Sequence, residues 1–200
     1  MRSSRATDAE LLHRVPDPEA VAVFYERHVD AVIRFAIRRC SNPDDAADLV
    51  STVFLEVFAA ASSFEPRRGA ARPWLLGIAS RCLADARRHG YRTDEVTRRL
   101  GWRPRMEPDE YERVEQMIDA ARSSARLEQT LNSRLTDTER EMFLLVAADE
   151  LTPAEAAQVL GIGAVVARMR LARARRKLRE ALAVSDPPTC LVELAKIQDQ

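Results

Sequence analysis

Residues 151–179 constrain the fold of this chain more than any other segment. Thr152 and Glu155 form a predicted capping box around Pro153, so a short helix begins there. Gly161 suits the left-handed turn that ends such a helix. The second helix that follows carries one apolar stripe at helical spacing: Ala167, Leu171, Ala174, Leu178, Ala181 and Leu182. The pattern predicts a helix-turn-helix, which is typical of proteins that place their second helix in the major groove of DNA.

Cationic side chains occupy most of the remaining surface of that second helix. Glu180 is the only acid among them, so ion pairs at i,i+4 spacing account for little of the arrangement. A solvated basic face is the alternative interpretation. We predict instead that the helix contacts DNA, through Arg168, Met169, Arg170, Arg173, Arg175, Arg176 and Lys177.

Composition excludes several other classes of protein. The 200 residues include 31 basic and 31 acidic side chains, and this balance argues against a uniformly cationic surface. The basic residues nevertheless cluster at 67–72, 81–92 and 168–179, and it is the local field, not the net charge, that steers a polyanion. Three scattered cysteines and three histidines without ligand spacing predict a reduced, cytoplasmic protein with no metal or cofactor. No phosphate loop or nucleophile–base pair is present, so neither an enzyme nor a small-molecule substrate is expected. No apolar run approaches the roughly 20 residues of a membrane span, so no membrane insertion is expected.

Helical periodicity runs through nearly every segment between the glycine and proline breakers, and no strand pattern interrupts it. Caps are predicted at Asp17 and Asn42, and a second capping box at Thr136 and Glu139. We therefore predict an all-α chain of two small helical domains joined by a linker. The expected order is a flexible tail at 1–16, a domain at 17–92, a linker at 93–127, a domain at 128–185 and a C-terminal tail at 186–200.

Four segments of the first domain indicate which kind of DNA-binding protein this is. They are residues 24–28 (FYERH), 45–58 (DAADLVSTVFLEVF), 64–69 (FEPRRG) and 72–79 (RPWLLGIA). These segments resemble the second conserved region of bacterial RNA polymerase sigma factors, in the extracytoplasmic-function (ECF) branch of the sigma-70 family. Residues 132–182 resemble the fourth region of the same family. The resemblance implies a region 2-like helical bundle followed by a region 4-like helix-turn-helix domain.

The resemblance also implies a site for core polymerase on the helix that contains residues 46–61. This helix is apolar on several faces, which suggests either that a partner covers one of them or that all are core. The residues implied in polymerase binding are Asp48, Leu49, Val50, Thr52, Val53, Phe54 and Glu56.

A third implied site captures the melted downstream promoter element with the loop 62–69 and the helix 74–88. A flipped base needs stacking or hydrogen-bonding walls, and cations hold the single strand. The implied residues are Phe64, Arg67, Arg68, Ser80, Arg81, Arg87 and Arg88. Trp74 is interpreted as a core anchor, and His28 as a helix-surface histidine.

The resemblance implies a sigma factor that directs core RNA polymerase to specific promoters and assists DNA melting. Its implied partners are core RNA polymerase, promoter DNA and an anti-sigma factor. At Ser51-Thr52 and Val165-Val-Ala167 the chain departs from the residues usual in the family. These departures leave a second hypothesis open, a sigma-like decoy or adaptor that binds an anti-sigma regulator. A third hypothesis is a plain helix-turn-helix transcription regulator.

Overall fold

A computed structural model of the chain describes residues 6–40, 42–89 and 131–183. These ranges are helical outside the turns and contain no β-strand, so the predicted all-α class is confirmed for them. The chain divides into two compact units, Met1–Ser123 and Ser124–Gln200, and each is described by itself. The predicted linker at 93–127 and C-terminal tail at 186–200 lie outside the described residues.

Four α-helices and two 3₁₀ turns form the described part of the first unit. Two of the helices begin at the predicted caps: the Asp17 carboxylate accepts from the Glu19 N–H at 3.1 Å, and the Asn42 amide oxygen accepts from the Asp45 N–H at 2.8 Å. The elements are α1 (Asp8–His13), α2 (Pro18–Ile37), α3 (Pro43–Ala59), the turns Ala61–Ser63 and Pro66–Arg68, and α4 (Ala71–His89).

The core of the first unit lies where α3 packs against both α2 and α4. Phe24 and Ile33 of α2, Val53 of α3 and Leu75 and Leu76 of α4 are almost completely buried there. A helix that is covered on two sides needs apolar residues on two faces. The packing therefore explains why the sequence of α3 is apolar around so much of its circumference.

The N-terminal segment is not a flexible tail throughout, and the prediction for residues 1–16 is wrong at α1. Leu11 and Leu12 are buried, and α1 packs against α2. The Asp8 carboxylate accepts a hydrogen bond from Arg27 at 2.5 Å and lies 3.0 Å from Nε2 of His28. Burial of two leucines and these polar contacts attach α1 to the domain that was expected to start at residue 17.

His28 was expected on the helix surface and is instead buried, with 7% of its surface exposed. Its ring lies 4.5 Å from the ring of Phe24, between α1 and α2. Burial lowers the pKa of His28 below its usual value of 6.5, although the neighbouring Asp8 carboxylate acts in the opposite direction. The imidazole is therefore held in its neutral form in the folded unit.

This burial predicts a pH-dependent stability. Below pH 6.5 the unfolded chain binds a proton on His28 more readily than the folded chain, so the free energy of unfolding falls as the pH is lowered. The slope from one proton is at most about 1.4 kcal/mol per pH unit. Urea unfolding of the full chain between pH 7.5 and pH 5.5 measures it, and His28→Gln should flatten the dependence. An equal slope in the wild type, in His28→Gln and in the exposed-site control His13→Gln would contradict the prediction.

Three α-helices form most of the described part of the second unit. Both predicted capping boxes are present: the Thr136 N–H donates to the Glu139 carboxylate at 3.0 Å, and the Thr152 N–H donates to Glu155 at 2.8 Å. Residues 131–134 are also helical. The helices are α5 (Asp137–Ala147), α6 (Pro153–Val159) and α7 (Ala164–Ala183), and α7 packs against both α5 and α6.

Candidate nucleic-acid interface

The turn between α6 and α7 has the geometry that the sequence predicts. Gly161 has a φ of +62°, in the left-handed region where a residue without Cβ is unstrained. The Gly161 N–H donates to the Gln158 carbonyl at 3.2 Å, and the Ile162 N–H donates to the Ala157 carbonyl at 3.0 Å. These two bonds form a Schellman motif, which satisfies the last carbonyls of α6 and ends it sharply. The turn thereby fixes where α7 begins.

The buried stripe of α7 determines which of its residues face outward. Ala167, Leu171, Ala174 and Leu178 are buried against α5 and α6, as the spacing predicts. Their small or branched side chains keep α7 close to the two supporting helices. The predicted DNA-contacting residues that this leaves exposed are Arg168, Met169, Arg173, Arg175 and Arg176. Arg170 lies at the edge of the stripe and is half-buried.

Lys177 makes an ion pair with α5 that the sequence did not predict. Its Nζ lies 2.6 Å from the Glu139 carboxylate of α5, and the Glu139 side chain is only 8% exposed. The hydrogen bond from Lys177, followed by that from the Thr136 backbone, holds the pKa of Glu139 below its usual range. In this conformation the ammonium group joins α7 to the capped start of α5, and the predicted DNA contact at Lys177 stays a prediction.

Exposed apolar residues lie at the start of α7. Val165, Val166 and Met169 are 61%, 43% and 48% exposed, and with Leu55 they are the large exposed hydrophobics of the described part of the chain. Val165, Met169 and Ala172 follow at the i, i+4, i+7 spacing of one helix face. This face points away from the buried stripe, and Arg173 and Arg176 continue it towards the C-terminus of α7.

The loop that joins α3 to α4 places an aromatic pair beside exposed cations. The ring of Phe64 lies 5.2 Å from the ring of Trp74 at the start of α4, and both residues are half-buried. Trp74 was interpreted as a core anchor, but the structure leaves part of its surface in solvent. Arg67 and Arg68, in the same loop, are exposed, and Arg68 makes only a long 3.9 Å pair with Glu65.

One face of α4 continues from this aromatic pair. Trp74, Arg81 and Arg88 are spaced seven residues apart, which is about two helical turns, so they lie on the same side of the helix. Arg88 pairs with Asp85, and Ser80 is half-buried. Arg87 lies off this face and donates to the Arg39 carbonyl at 3.3 Å, so it also joins α4 to the end of α2. Trp74, Arg81 and Arg88 therefore share one face of α4, and Phe64 contacts this face at Trp74. We name these four residues, together with the exposed Arg67 and Arg68 of the adjoining loop, the aromatic and basic surface.

The residues predicted to bind polymerase divide into two groups in the structure. Leu49, Val50, Val53 and Phe54 are at most 4% exposed, and they contribute to the core between α2, α3 and α4. In this conformation a partner cannot reach these buried side chains, so a polymerase contact through them would require α3 to change its packing. Their predicted role in polymerase binding stays a prediction. The second group, Asp48, Thr52 and Glu56, is exposed on one face of α3.

Sequence reasoning missed Leu55, which belongs to that exposed face. Its side chain is 41% exposed, between the carboxylate of Glu56 and the buried row of α3. Positions 48, 52, 55, 56 and 59 recur at helical spacing and are all exposed, so the outward face was present in the periodicity. We name this set the α3 outer face: Asp48, Thr52, Leu55, Glu56 and Ala59.

Within residues 6–40, 42–89 and 131–183, no group of three or more His, Cys, Asp or Glu side chains is arranged to hold a metal ion. In the same ranges no helix has both the length and the apolar character needed to cross a membrane.

Two protein-family models match successive parts of the chain. The family model described as Sigma-70 region 2 matches residues 24–93, and that described as Sigma-70, region 4 matches residues 126–178. The two matches together span more than half of the chain. The first contains α3 and α4, and the second contains the helix-turn-helix up to Leu178.

Curated proteins and solved structures of the same kind are similar over most of the chain. The ECF RNA polymerase sigma factor SigC of Mycobacterium tuberculosis is 34% identical over 164 residues, which cover 80% of this chain and 81% of that protein. SigK of Mycolicibacterium vanbaalenii is 29% identical over 169 residues, 84% of this chain and 85% of that one. CnrH, solved in complex with the cytosolic domain of CnrY, is 25% identical with a TM-score of 0.66, over 90% of this chain and 99% of that chain. The sigma factor RpoE of Bartonella quintana, solved with the anti-sigma factor NepR, has the same fold at a TM-score of 0.56 and 24% identity, over 81% of this chain and 96% of that chain.

Proposed function

The chain belongs to the sigma-70 family, in its extracytoplasmic-function branch, and we propose that its three exposed surfaces divide the work of promoter-specific transcription initiation. The α3 outer face binds core RNA polymerase. The aromatic and basic surface of the loop and α4 holds melted promoter DNA. The outward face of α7 binds the duplex of the upstream promoter element.

The strongest support for this function is the set of exposed arginines on the outward face of α7. Ala167, Leu171, Ala174 and Leu178 are buried against α5 and α6, so packing fixes the orientation of the helix and leaves its outward arginines exposed. Arg168, Arg173, Arg175 and Arg176 lie within nine positions that contain no acid, and the Glu180 carboxylate, four positions further on, is 3.7 Å from Arg176. An exposed pair of this kind contributes little, so the helix retains a strong positive field towards a polyanion.

The aromatic and basic surface has the chemistry that single-stranded DNA requires. An unstacked base needs a π-face, and the partly exposed Phe64–Trp74 pair offers one at the start of α4. Arg67 and Arg68 lie in the same loop, and Arg81 and Arg88 extend along the helix face that begins at Trp74. Bases therefore stack at one end while the sugar–phosphate backbone follows the arginines.

The α3 outer face suits a partner of complementary chemistry. Two exposed carboxylates, Asp48 and Glu56, lie on the same outer face of α3 as the exposed side chain of Leu55. A combination of apolar and charged groups is typical of a protein interface, in which the apolar group is covered and the charges select the partner. We therefore assign this face to a basic surface of core polymerase.

Reconstitution tests the proposed function directly. Core RNA polymerase from the organism that carries the gene is incubated with the full chain and fragmented genomic DNA, and transcript starts are mapped. We expect a set of starts that core polymerase alone does not produce, sharing a sequence element upstream and another near the start. Identical start sites with and without the chain would overturn the proposal.

A regulatory partner of the anti-sigma class is a second proposal. Two solved structures of the same fold are complexes, one of CnrH with the cytosolic domain of CnrY and one of RpoE with the anti-sigma factor NepR. Capture by the immobilised full chain, followed by competition with core polymerase, tests whether a regulator exists. Capture of a regulator together with failure to bind core polymerase would instead favour the decoy hypothesis over a sigma factor.

A further inference from the structure

We propose that Val165, Met169 and Ala172, which we name the apolar strip, recognise thymine methyl groups in the major groove of the upstream promoter element. The proposal deepens the proposed function and rests on it, because it assigns a base preference to a helix already proposed to bind promoter DNA. The strip lies on the first three turns of α7.

The apolar strip is exposed where a soluble helix would ordinarily carry polar residues. Val165 is 61% exposed and Met169 is 48% exposed, and both face away from the core formed by Ala167 and Leu171. Their exposure is not needed for packing, since the opposite stripe already holds α7 against α5 and α6. Large exposed hydrophobics that adjoin one another indicate a surface that a partner covers.

The charges around the apolar strip identify that partner as duplex DNA. Arg168, Arg173, Arg175 and Arg176 surround the strip or continue it, and all are exposed. A protein partner with an apolar patch would have to neutralise this set of cations with acids of its own, whereas a DNA backbone supplies anions on both sides of its major groove. The cations then bind phosphates while the strip between them faces the base edges.

The position of the strip in α7 matches the geometry of base contact. In a helix-turn-helix, the N-terminal residues of the second helix reach the base edges, and later turns approach the backbone. Val165 and Met169 lie in the first two turns, and Arg173, Arg175 and Arg176 follow. The largest apolar group that a base edge presents in the major groove is the C5 methyl group of thymine. An apolar strip at this position therefore selects thymine.

Replacing thymine with deoxyuridine tests the inference without altering the protein. Promoters mapped with the reconstituted polymerase are synthesised with deoxyuridine at each thymine of the upstream element in turn, which removes the methyl group and keeps base pairing. We expect at least one substitution to weaken binding of the polymerase–sigma complex about threefold to fivefold, the effect of uncovering one buried hydrocarbon carbon. The same substitutions near the transcription start should have no such effect.

Substitutions in the apolar strip test whether its residues cause the effect of deoxyuridine on binding. Met169→Ala and Val165→Ala should weaken binding to the thymine promoter and abolish the penalty for deoxyuridine, because the methyl group has lost its partner. Arg173→Ala is the matched control, and it should weaken binding to both promoters equally. A methyl effect that persists unchanged in the strip variants would assign the contact to other residues and overturn the inference.

The outcomes separate this inference from the proposed function. If the complex selects promoters but no deoxyuridine substitution alters binding, the chain is a sigma factor and the strip does not recognise thymine. If the chain gives no promoter selection at all, the proposed function itself fails. Loss of binding to a protein regulator in Met169→Ala, with an unchanged response to deoxyuridine, would assign the strip to that regulator and overturn thymine recognition.

Discussion

Truncation of Leu49 to alanine is expected to lower the free energy of unfolding by about 2–5 kcal/mol, the usual effect of removing a buried leucine side chain. Truncation of Leu55, six positions later in the same helix, is expected to change it by no more than about 1 kcal/mol. The difference follows from exposure, since Leu49 is 4% exposed and Leu55 is 41% exposed. Chemical denaturation of the full-length variants measures both values.

The two substitutions should rank in the opposite order by their effect on the affinity for core polymerase. Leu55→Ala removes the apolar centre of the α3 outer face and is expected to weaken capture of core polymerase about fivefold or more, the effect of truncating a residue at the centre of an interface. Leu49→Ala should bind with wild-type affinity once the measurement is corrected for the folded fraction. If Leu49→Ala does not fold, Leu49→Met keeps the volume and serves in its place.

Two results would contradict this division of α3. Wild-type affinity of Leu55→Ala for core polymerase would show that the α3 outer face is not the binding site. Weak binding by a fully folded Leu49 variant would instead indicate that α3 changes its packing when polymerase binds. The matched pair of leucines therefore distinguishes a preformed surface from one that partner binding exposes.

Local chemistry predicted the helix starts and the turn of the helix-turn-helix well. Thr136 with Glu139, Thr152 with Glu155, and Asn42 before Pro43 each act within three residues, so the sequence contains both partners of every bond. Gly161 needs only its own backbone freedom and two nearby carbonyls. Features whose cause is confined to one turn of helix are readable in this way.

Contacts between distant elements could not be predicted from the sequence. His28 is buried because Asp8 and α1 pack over it from 20 positions away, and Lys177 is held by Glu139 from 38 positions away. Neither partner follows from a spacing rule, because helical periodicity says which residues share a face but not which helix covers that face. The sequence therefore identified Lys177 as one cation among several, and only packing separated it from the arginines.

The faces of α3 illustrate the same limit in a functional site. The family resemblance implied a polymerase site on α3, but a helix with apolar residues on several faces does not reveal which of them a neighbouring helix covers. Packing of α3 between α2 and α4 places Leu49, Val50, Val53 and Phe54 in the core and leaves Leu55 exposed. Asp48 and Glu56, which the resemblance also implied in polymerase binding, are exposed, as expected of carboxylates, which are rarely buried.

Alanine substitution of Arg168 and Arg173 is expected to give the largest loss of promoter binding. Each arginine that contacts a base should contribute about 1–3 kcal/mol, and losing it should relax specificity at one position of the upstream element. An arginine that contacts only phosphate should weaken binding to all sequences alike and reduce the salt dependence by about one counterion. Titration of each polymerase–sigma complex against wild-type and single-base-substituted promoters at several salt concentrations distinguishes the two roles.

Lys177→Met is the matched control for this pair, because Lys177 is a cation of the same helix whose charge is already engaged by the nearly buried Glu139. Removing one partner of such a pair leaves the other unsatisfied, so the variant should lose stability by about 1–3 kcal/mol. Its promoter specificity and salt dependence should stay those of the wild type when the measurement is made on folded protein. Promoter binding that is unchanged in Arg168→Ala and Arg173→Ala but lost in folded Lys177→Met would reverse the orientation of α7 that we infer from its buried stripe.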